Sequence, residues 1–430
     1  MPRYQRERAA ILLVAGLLTV GRASAQEPGA PARPPVVISG YVHGDWTVFR
    51  QTSQDEVNPD GQPLNEDRFV LRRARLRATA DRGLTHGAVE IDANTVRELQ
   101  VRPVNAEASL KWPEARPAYD PAVDQRKLPV ETWFMVTLGL IHTPFGFEPS
   151  EVAVRRPFLE QTTMSSAFFP GQYDLGFRFI GGFKFVSYAL GIMNGDPIGE
   201  RTFPGLAPTK SKDLILRVGA ASDITDAVRV EGGFSGLTGR GFHKGKRATT
   251  DQLVWRDVNE DGVVQPIELQ SIPGAPAEPS ATFKRFAFGA DVRVFIQLPV
   301  IGELALRGEI VRASNLDRGL SVADPVASSR DLRELGWYVG GVQEVTRWAH
   351  VGVRYDRYNP DADASEREPF ALVPRDPSFS TWSFMTAARM PFGRLVAQYD
   401  LRTNAQGRDA RGAPNTLADD SFTLRAEARF

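Results

Sequence analysis

Apolar side chains recur at every second position over stretches of about ten residues, the period that gathers them on one face of a β-strand. In Phe286-Ala287-Phe288-Gly289-Ala290-Asp291-Val292-Arg293-Val294-Phe295-Ile296, one face carries Phe286, Phe288, Ala290, Val292, Val294 and Ile296. The other carries Ala287, Gly289, Asp291, Arg293 and Phe295. The same alternation predicts sixteen strands, over 37–49, 68–80, 85–94, 105–112, 132–141, 173–181, 183–192, 213–221, 226–236, 284–297, 301–313, 334–344, 347–357, 380–390, 393–401 and 420–430. The connections alternate between long and short. Those at 50–67, 142–172, 193–212, 237–283, 314–333, 358–379 and 402–419 are long. Those at 81–84, Gly181-Gly182, 222–225, 298–300, 345–346 and 391–392 are short, while 95–104 is of medium length and 113–131 is exceptionally long. An even number of strands joined this way predicts an all-β chain: an antiparallel transmembrane β-barrel of 16 strands with short periplasmic turns and long extracellular loops.

The chemistry of the two faces points the same way. Glu231, Asp291, Arg293, Arg307, Glu309, Arg354 and Asp356 sit in mid-strand on the polar face, where each needs water or a partner. In a lipid-embedded barrel that face lines the interior, and sixteen strands leave an aqueous channel. Tyr41, Trp112, Trp133, Trp337, Trp348 and Trp382 lie near strand ends and are expected in the interfacial aromatic girdles. An apolar share of 42% excludes a helical membrane protein, and no segment after the N-terminus holds about 18 consecutive apolar residues. The absence of cysteine excludes disulfide scaffolds, zinc ribbons, thiol nucleophiles and iron–sulfur sites. With 52 basic and 52 acidic residues, nothing points to nucleic acid.

Residues 1–25 read as a signal peptide. Arg3, Arg6 and Arg8 precede an apolar run from Ala9 to Val20, and Ala23-Ser24-Ala25 is a small-x-small cleavage site. Residues 26–35, rich in Pro and Ala, form a loose lead-in, and 36–430 is expected to be one outer-membrane barrel domain. The final strand, Phe422 to Phe430, alternates and ends on Phe, as expected of a client of the outer-membrane assembly machinery.

Several motifs carry a family resemblance. Leu140-Ile141-His142-Thr143-Pro144-Phe145-Gly146-Phe147-Glu148 resembles the phosphate-selective porin O and P family. So do Phe158-Leu159-Glu160, Phe169-Pro170-Gly171 with Asp174-Leu175-Gly176, Gly191-Ile192-Met193-Asn194-Gly195, and the basic strand Leu71-Arg72-Arg73-Ala74-Arg75-Leu76. The resemblance implies a sixteen-stranded homotrimeric channel in the outer membrane of a Gram-negative bacterium, surrounded by outer-membrane lipid and passing small anions into the periplasm. It also implies a constriction loop folded into the lumen, matched by 142–172, with Glu148, Glu151, Arg155, Arg156 and Glu160. The alternation places Arg73, Arg75, Arg77, Arg178, Arg217, Arg229, Arg293, Arg307 and Arg354 on the channel wall. Evenly spaced guanidinium groups would let an anion step between sites. Equally, acids two positions away (Glu231 beside Arg229, Asp291 beside Arg293, Glu309 beside Arg307) would make the wall a self-neutralising network. The family's phosphate-specific members use a lysine cluster. This chain has only eight Lys, four of them (Lys210, Lys212, Lys244 and Lys246) in the long loops, so a general anion preference is expected instead.

One loop carries a metal pattern. Asp257-Val258-Asn259-Glu260-Asp261-Gly262-Val263-Val264-Gln265-Pro266-Ile267-Glu268 matches D-x-[DN]-x-[DN]-G-x5-E in full. The side chains of Asp257, Asn259, Asp261 and Glu268 and the carbonyl of Val263 could surround a structural Ca²⁺, although the flanks are not helical. No other cofactor is expected. His43 and Asp45 share a face of the first strand, but His86, His142, His243 and His350 stand in no Ser/His/Asp spacing and no phosphate-binding glycine loop occurs, so the chain is not expected to be an enzyme. The alternative readings are a general non-selective porin and a secreted β-sandwich binding or adhesion protein.

Overall fold

The computed structural model describes residues 36–50, 65–96, 98–113, 133–197, 210–368, 371–405, 407–408, 414–417 and 419–430. The signal peptide, the lead-in and most of 113–131 lie outside the described residues. Sixteen strands form one closed antiparallel barrel in sequence order. They are β1 (Val37–Phe49), β2 (Arg68–Arg82), β3 (Thr85–Asn94), β4 (Gln100–Trp112), β5 (Trp133–His142), β6 (Tyr173–Phe183), β7 (Val186–Met193) and β8 (Asp213–Thr225). Then come β9 (Val228–His243), β10 (Ala281–Leu298), β11 (Gly302–Ser314), β12 (Arg333–Thr346), β13 (Ala349–Asn359), β14 (Phe379–Met390), β15 (Gly393–Thr403) and β16 (Ser421–Arg429). Closure runs from Tyr41↔Arg429 to Phe49↔Ser421, so no strand edge is left open. The two-sheet sandwich is thereby excluded.

The two faces separate as the alternation requires. Phe234, Leu138, Phe288 and Val339 are 76%, 63%, 65% and 56% exposed on the outer surface. The intervening Arg75, Glu90, Asp92, Asp291, Glu309, Arg354 and Asp356 are buried inside. Two aromatics depart from the expected girdle. Tyr41 shares the inward face with His43 and lies 5.9 Å from the Arg75 guanidinium. Trp133 lines the internal cavity. Trp112, Trp348 and Trp382 stay outside, and Trp337 packs on Tyr355.

Strand limits differ from the sequence reading where glycine and proline misled it. Gly181-Gly182 is no turn: both residues are paired within β6, and the chain reverses at Lys184-Phe185, with Lys184 left-handed at φ 53. A Cβ on Gly181 would stand 2.4 Å from the Tyr188 ring, and one on Gly182 2.4 Å from Trp133 Nε1. Gly181 makes room for Tyr188, which stacks on Phe179 on the outer face, and Gly182 for the inward Trp133. Pro103 does not delay β4, which begins at Gln100, because a register shift opposite Glu90/Ile91 accommodates a residue without an N–H. β9 and β10 run 16 and 18 residues, longer than read. Three long loops carry small hairpins of their own, among them Gln252–Trp255 with Leu269–Ile272.

The hydrophobic core lies inside the barrel and is made by one loop. The 143–172 connection brings Phe145, Met164, Phe168 and Phe169 against inward Ile141, Met193, Ile215, Leu237, Val311, Tyr338 and Tyr358. Farther along, Phe158 and Leu159 pack on Val342, Met385 and Val396. An inward apolar patch on a barrel wall has no lipid to face, so it needs such a cover.

Candidate functional site: the inward loop and the charged wall

The loop has little regular structure of its own. Glu148–Ser150 and Ala153–Arg155 are single 3₁₀ turns, and α1 spans only Thr163–Phe168. A six-residue helix is unstable alone and depends on its cap and on packing. Thr162 caps it, its Oγ1 accepting from Ser165 N. Glu148 then ties the two halves of the loop together. Its carboxylate accepts from the Thr162 N–H at 3.1 Å, and from the Thr162 and Ser165 hydroxyls at 2.5 Å each.

From this knot the loop reaches opposite walls. Glu309 on β11 accepts the N–H groups of Phe147 and Glu148 at 3.3 and 3.1 Å. Arg354 on β13 donates to Glu148 at 3.2 Å and to the Glu160 carbonyl at 3.0 Å, with its guanidinium 4.6 Å from the Phe158 ring. Arg394 on β15 donates to the carbonyl of Arg156 at 2.6 Å. At the far side Glu160 accepts from Arg72 and Arg73 on β2 and Arg425 on β16.

Register places like charges opposite each other on the wall, and the loop relieves them. Arg293 and Arg307 are direct cross-strand partners, as are Asp291 and Glu309. Such pairs repel. The Phe147 ring lies under both arginines, 3.7 Å from the Arg293 guanidinium and 5.6 Å from that of Arg307. Glu231 takes Arg293 at 2.6 Å and Glu151 takes Arg307 at 3.3 Å. Asp291 is held by Arg217 through both oxygens.

The other residues singled out from sequence also face partners. Arg73 meets Glu160; Arg75 meets Glu90 at 3.0 Å and the Tyr173 hydroxyl at 3.1 Å; Arg77 meets Glu90 at 3.2 Å and Glu107 at 3.1 Å. Arg178 donates to the His142 carbonyl at 3.3 Å, and Arg229 pairs with Glu231 and Asp223 at 2.9 and 3.2 Å. Arg155 ends the second 3₁₀ turn and lines the cavity. Arg156 donates to the Glu151 carbonyl at 2.8 Å; burial and then Arg73 bring its guanidinium down to about 10. The self-neutralising wall therefore describes the β2 row better than an unobstructed ladder.

Strict alternation missed Arg72. The β1–β2 register shifts between His43 and Gly44, so that His43 faces Arg73 and Gly44 faces Leu71. Arg72 is the extra residue of this bulge, which turns it inward beside Arg73. The doubled Arg-Arg in a strand of period two was the available signal. Phe147 was also absent from the predicted site, whereas Arg394, Arg425 and Asp45 follow the inward alternation of their strands.

A cavity of about 1160 Å³ lies between the underside of the loop and the short-turn end of the wall. Ten of its lining side chains are Arg or Lys and six are Asp or Glu. Arg217, Arg229, Arg293 and Arg307 line one wall; Phe147, Glu151, Val154 and Arg155 form the side toward the loop.

The 257–268 loop caps a hairpin rather than joining two helices. Asp257 accepts from the N–H groups of Asp261 and Gly262 at 3.2 and 2.8 Å, Asn259 from Asp261 at 3.1 Å, and Asp261 from Val263 at 2.7 Å. Glu268 turns to Trp255 Nε1 and to the Val258 and Gln265 N–H groups. Among the described residues no three His, Cys, Asp or Glu side chains converge as metal ligands. The oxygen-only donor set and Gly262 at φ +70 nonetheless suit a hard cation.

No protein-family model matches the chain, and no curated protein matches it in sequence. Solved structures do. The outer membrane channel DcaP of Acinetobacter baumannii is similar at TM-score 0.52 and 10% identity, over 92% of this chain and 97% of that one. OmpT, an outer membrane protein of Vibrio cholerae, matches in its trimer form at 0.50 and 10%, over 92% and 99%. Its outer-membrane expressed form matches at 0.50 and 11%, over 92% and 97%. At these identities the likeness is one of fold, and it does not single out the phosphate-selective porins.

Glu160 gives the loop a pH signature. Burial pushes its carboxyl up, but Arg72, Arg73 and Arg425 more than offset this and hold it well below its ordinary 4.5. A lowered carboxyl contributes stability that is complete above 4.5 and is lost as pH falls through the lowered value. The chain has no cysteine, so Val154→Cys gives a unique thiol on the loop. Between pH 8 and 5, the extent of thiol labelling is expected to stay constant once corrected for thiolate fraction; after a brief pulse below pH 4 it is expected to rise. A rise already complete at pH 5 would contradict the assignment.

Proposed function

We propose that the protein is an outer-membrane porin through which small anions diffuse passively into the periplasm. The observation that carries this reading is the large internal cavity of a closed sixteen-stranded barrel, bounded by an inward loop and lined by ten basic against six acidic side chains. The likeness of fold to outer-membrane proteins supports the location. It also supports a barrel in outer-membrane lipid, the trimer form of OmpT supports association as a homotrimer, and insertion by the assembly machinery belongs to the same reading. A general anion preference fits better than phosphate specificity, because the arginines are interleaved with acids and lysine is scarce. Arg73, Arg75 and Arg77 on β2 are each faced by carboxylates and do not line the cavity, whereas Arg217, Arg229, Arg293 and Arg307, also paired with carboxylates, do line it.

In planar bilayers under a tenfold potassium chloride gradient, the reversal potential is expected to show moderate anion preference. It should be strongest at low salt, since the Debye length is about 10 Å at 0.1 M. Arg293→Gln is expected to reduce the preference more than Arg77→Gln. Cation preference in the parent protein would contradict the charge argument.

We also propose that the loop of Asp257, Asn259, Asp261, Val263 and Glu268 takes a structural Ca²⁺. Support comes from the full sequence pattern and from side-chain oxygens already wrapped around the Gly262 turn. Extracellular modules bind at about 10⁻⁴–10⁻³ M. Calorimetry with millimolar Ca²⁺ is expected to show one site, absent in Asp257→Ala. No heat from the folded parent protein would remove the proposal.

A further inference from the structure

Four N–H bonds from three arginines meet on the single carboxylate of Glu160. Its Oε1 accepts Arg72 Nε at 3.1 Å, Arg73 Nη1 at 2.8 Å and Arg425 Nη2 at 2.6 Å; its Oε2 accepts Arg73 Nη2 at 2.8 Å. That fills the roughly four acceptor sites of a carboxylate. All three donors belong to the wall, on the adjacent chain of strands β16–β1–β2, and only the acceptor belongs to the loop. The wall orients its donors independently. The bulge turns Arg72 beside Arg73, and Asp45 grips Arg425 through two bonds of 2.7 Å. Arg425 also donates to the Leu159 carbonyl at 2.6 Å, so its fork is held from two sides. The Glu160 side chain is 35% exposed and that of Arg72 21%, yet neither lines the cavity on the short-turn side. The cup they form is therefore partly open to water.

We propose that Arg72, Arg73 and Arg425 form an oxyanion-binding site that Glu160 occupies as a tethered anion, in competition with oxyanions from solution. The ligand class follows from the donors: forked guanidinium groups match the spaced oxygens of a carboxylate or phosphate better than a spherical halide. The identity of the natural ligand rests on the anion-pore reading, but binding itself does not require conduction. A site that is mostly self-occupied binds with an affinity reduced by the fraction of time it stands open. Oxyanion entry releases the loop at Glu160, while Glu148 with Arg354 keeps the other half in place.

The test is calorimetric titration of the detergent-solubilised full chain with inorganic phosphate at low ionic strength, with folding checked by heat-modifiable migration on gels. Glu160→Gln is expected to lower the phosphate Kd by about tenfold or more, as removal of a competing occupant requires. Glu160→Gln combined with Arg73→Gln is expected to lose that gain. Equal Kd values for the parent and Glu160→Gln would overturn the proposal, as would a gain that survives Arg73→Gln. Should Glu160→Gln fail to fold, Glu160→Asp, whose shorter side chain reaches the cup less well, is expected to tighten phosphate by a smaller factor; unchanged or weaker binding would overturn the proposal. Bilayer recordings separate the two readings. Absent conductance with the expected phosphate series would remove the pore and uphold the site. Conductance with an unchanged Kd in Glu160→Gln would do the reverse.

Discussion

A guanidinium taken out of water needs an opposite charge, and this barrel takes many of them out of water at once. The sixteen strands alternate so regularly that every second residue must face inward, and the inward set is rich in arginine. The wall answers part of the demand by register. Arg75 stands opposite Asp92, Arg77 opposite Glu90, Arg293 opposite Glu231 and Asp45 opposite Arg425. Where register sets like against like, the 143–172 loop supplies the missing group. Its Phe147 and Glu151 meet the Arg293/Arg307 pair, and its backbone N–H groups meet Glu309.

The loop's position is thus a consequence of the wall's electrostatics as much as of its apolar side chains. Apolar packing holds Phe145, Met164, Phe168 and Phe169 to one side, and Phe158 and Leu159 to the other. Between them the carboxylates of Glu148 and Glu160 fasten the loop to β13, β16 and β2. What remains open is the cavity toward the short turns, lined by ten basic and six acidic side chains. If the barrel is a pore, permeation and loop placement share one set of charges.

Much of the barrel was legible because a strand's period of two is strict: a face that meets lipid and a face that meets polar groups leave an alternation in the sequence. Sixteen strands, their order and most of their limits follow from it. Local exceptions to the period were not legible. The bulge at Arg72 inverts one residue, and its outcome depends on pairing with β1. Gly181 and Gly182 look like a turn, but their role is to leave space for Tyr188 and Trp133, a contact between separate strands. Tyr41 and Trp133 sit near strand ends as girdle aromatics do, and only facing distinguishes them. Glu148, Glu151, Arg155, Arg156 and Glu160 lie on the inward loop, but the partners of such side chains, such as Arg354 for Glu148, lie some two hundred positions away and no local pattern encodes them.

The pair at the centre of this account is Glu148 with Arg354, whose side chains are 6% and 5% exposed. A double-mutant cycle with Glu148→Gln, Arg354→Gln and the combined variant, read by urea unfolding of the reconstituted barrel, tests whether charge pairing holds the loop. Each single change is expected to cost about 3–5 kcal/mol, because it strands the other charge. The combined variant is expected to fall short of the sum by about 1–3 kcal/mol. Costs that add to within about 0.5 kcal/mol would show the two groups to be independent, and would contradict the account.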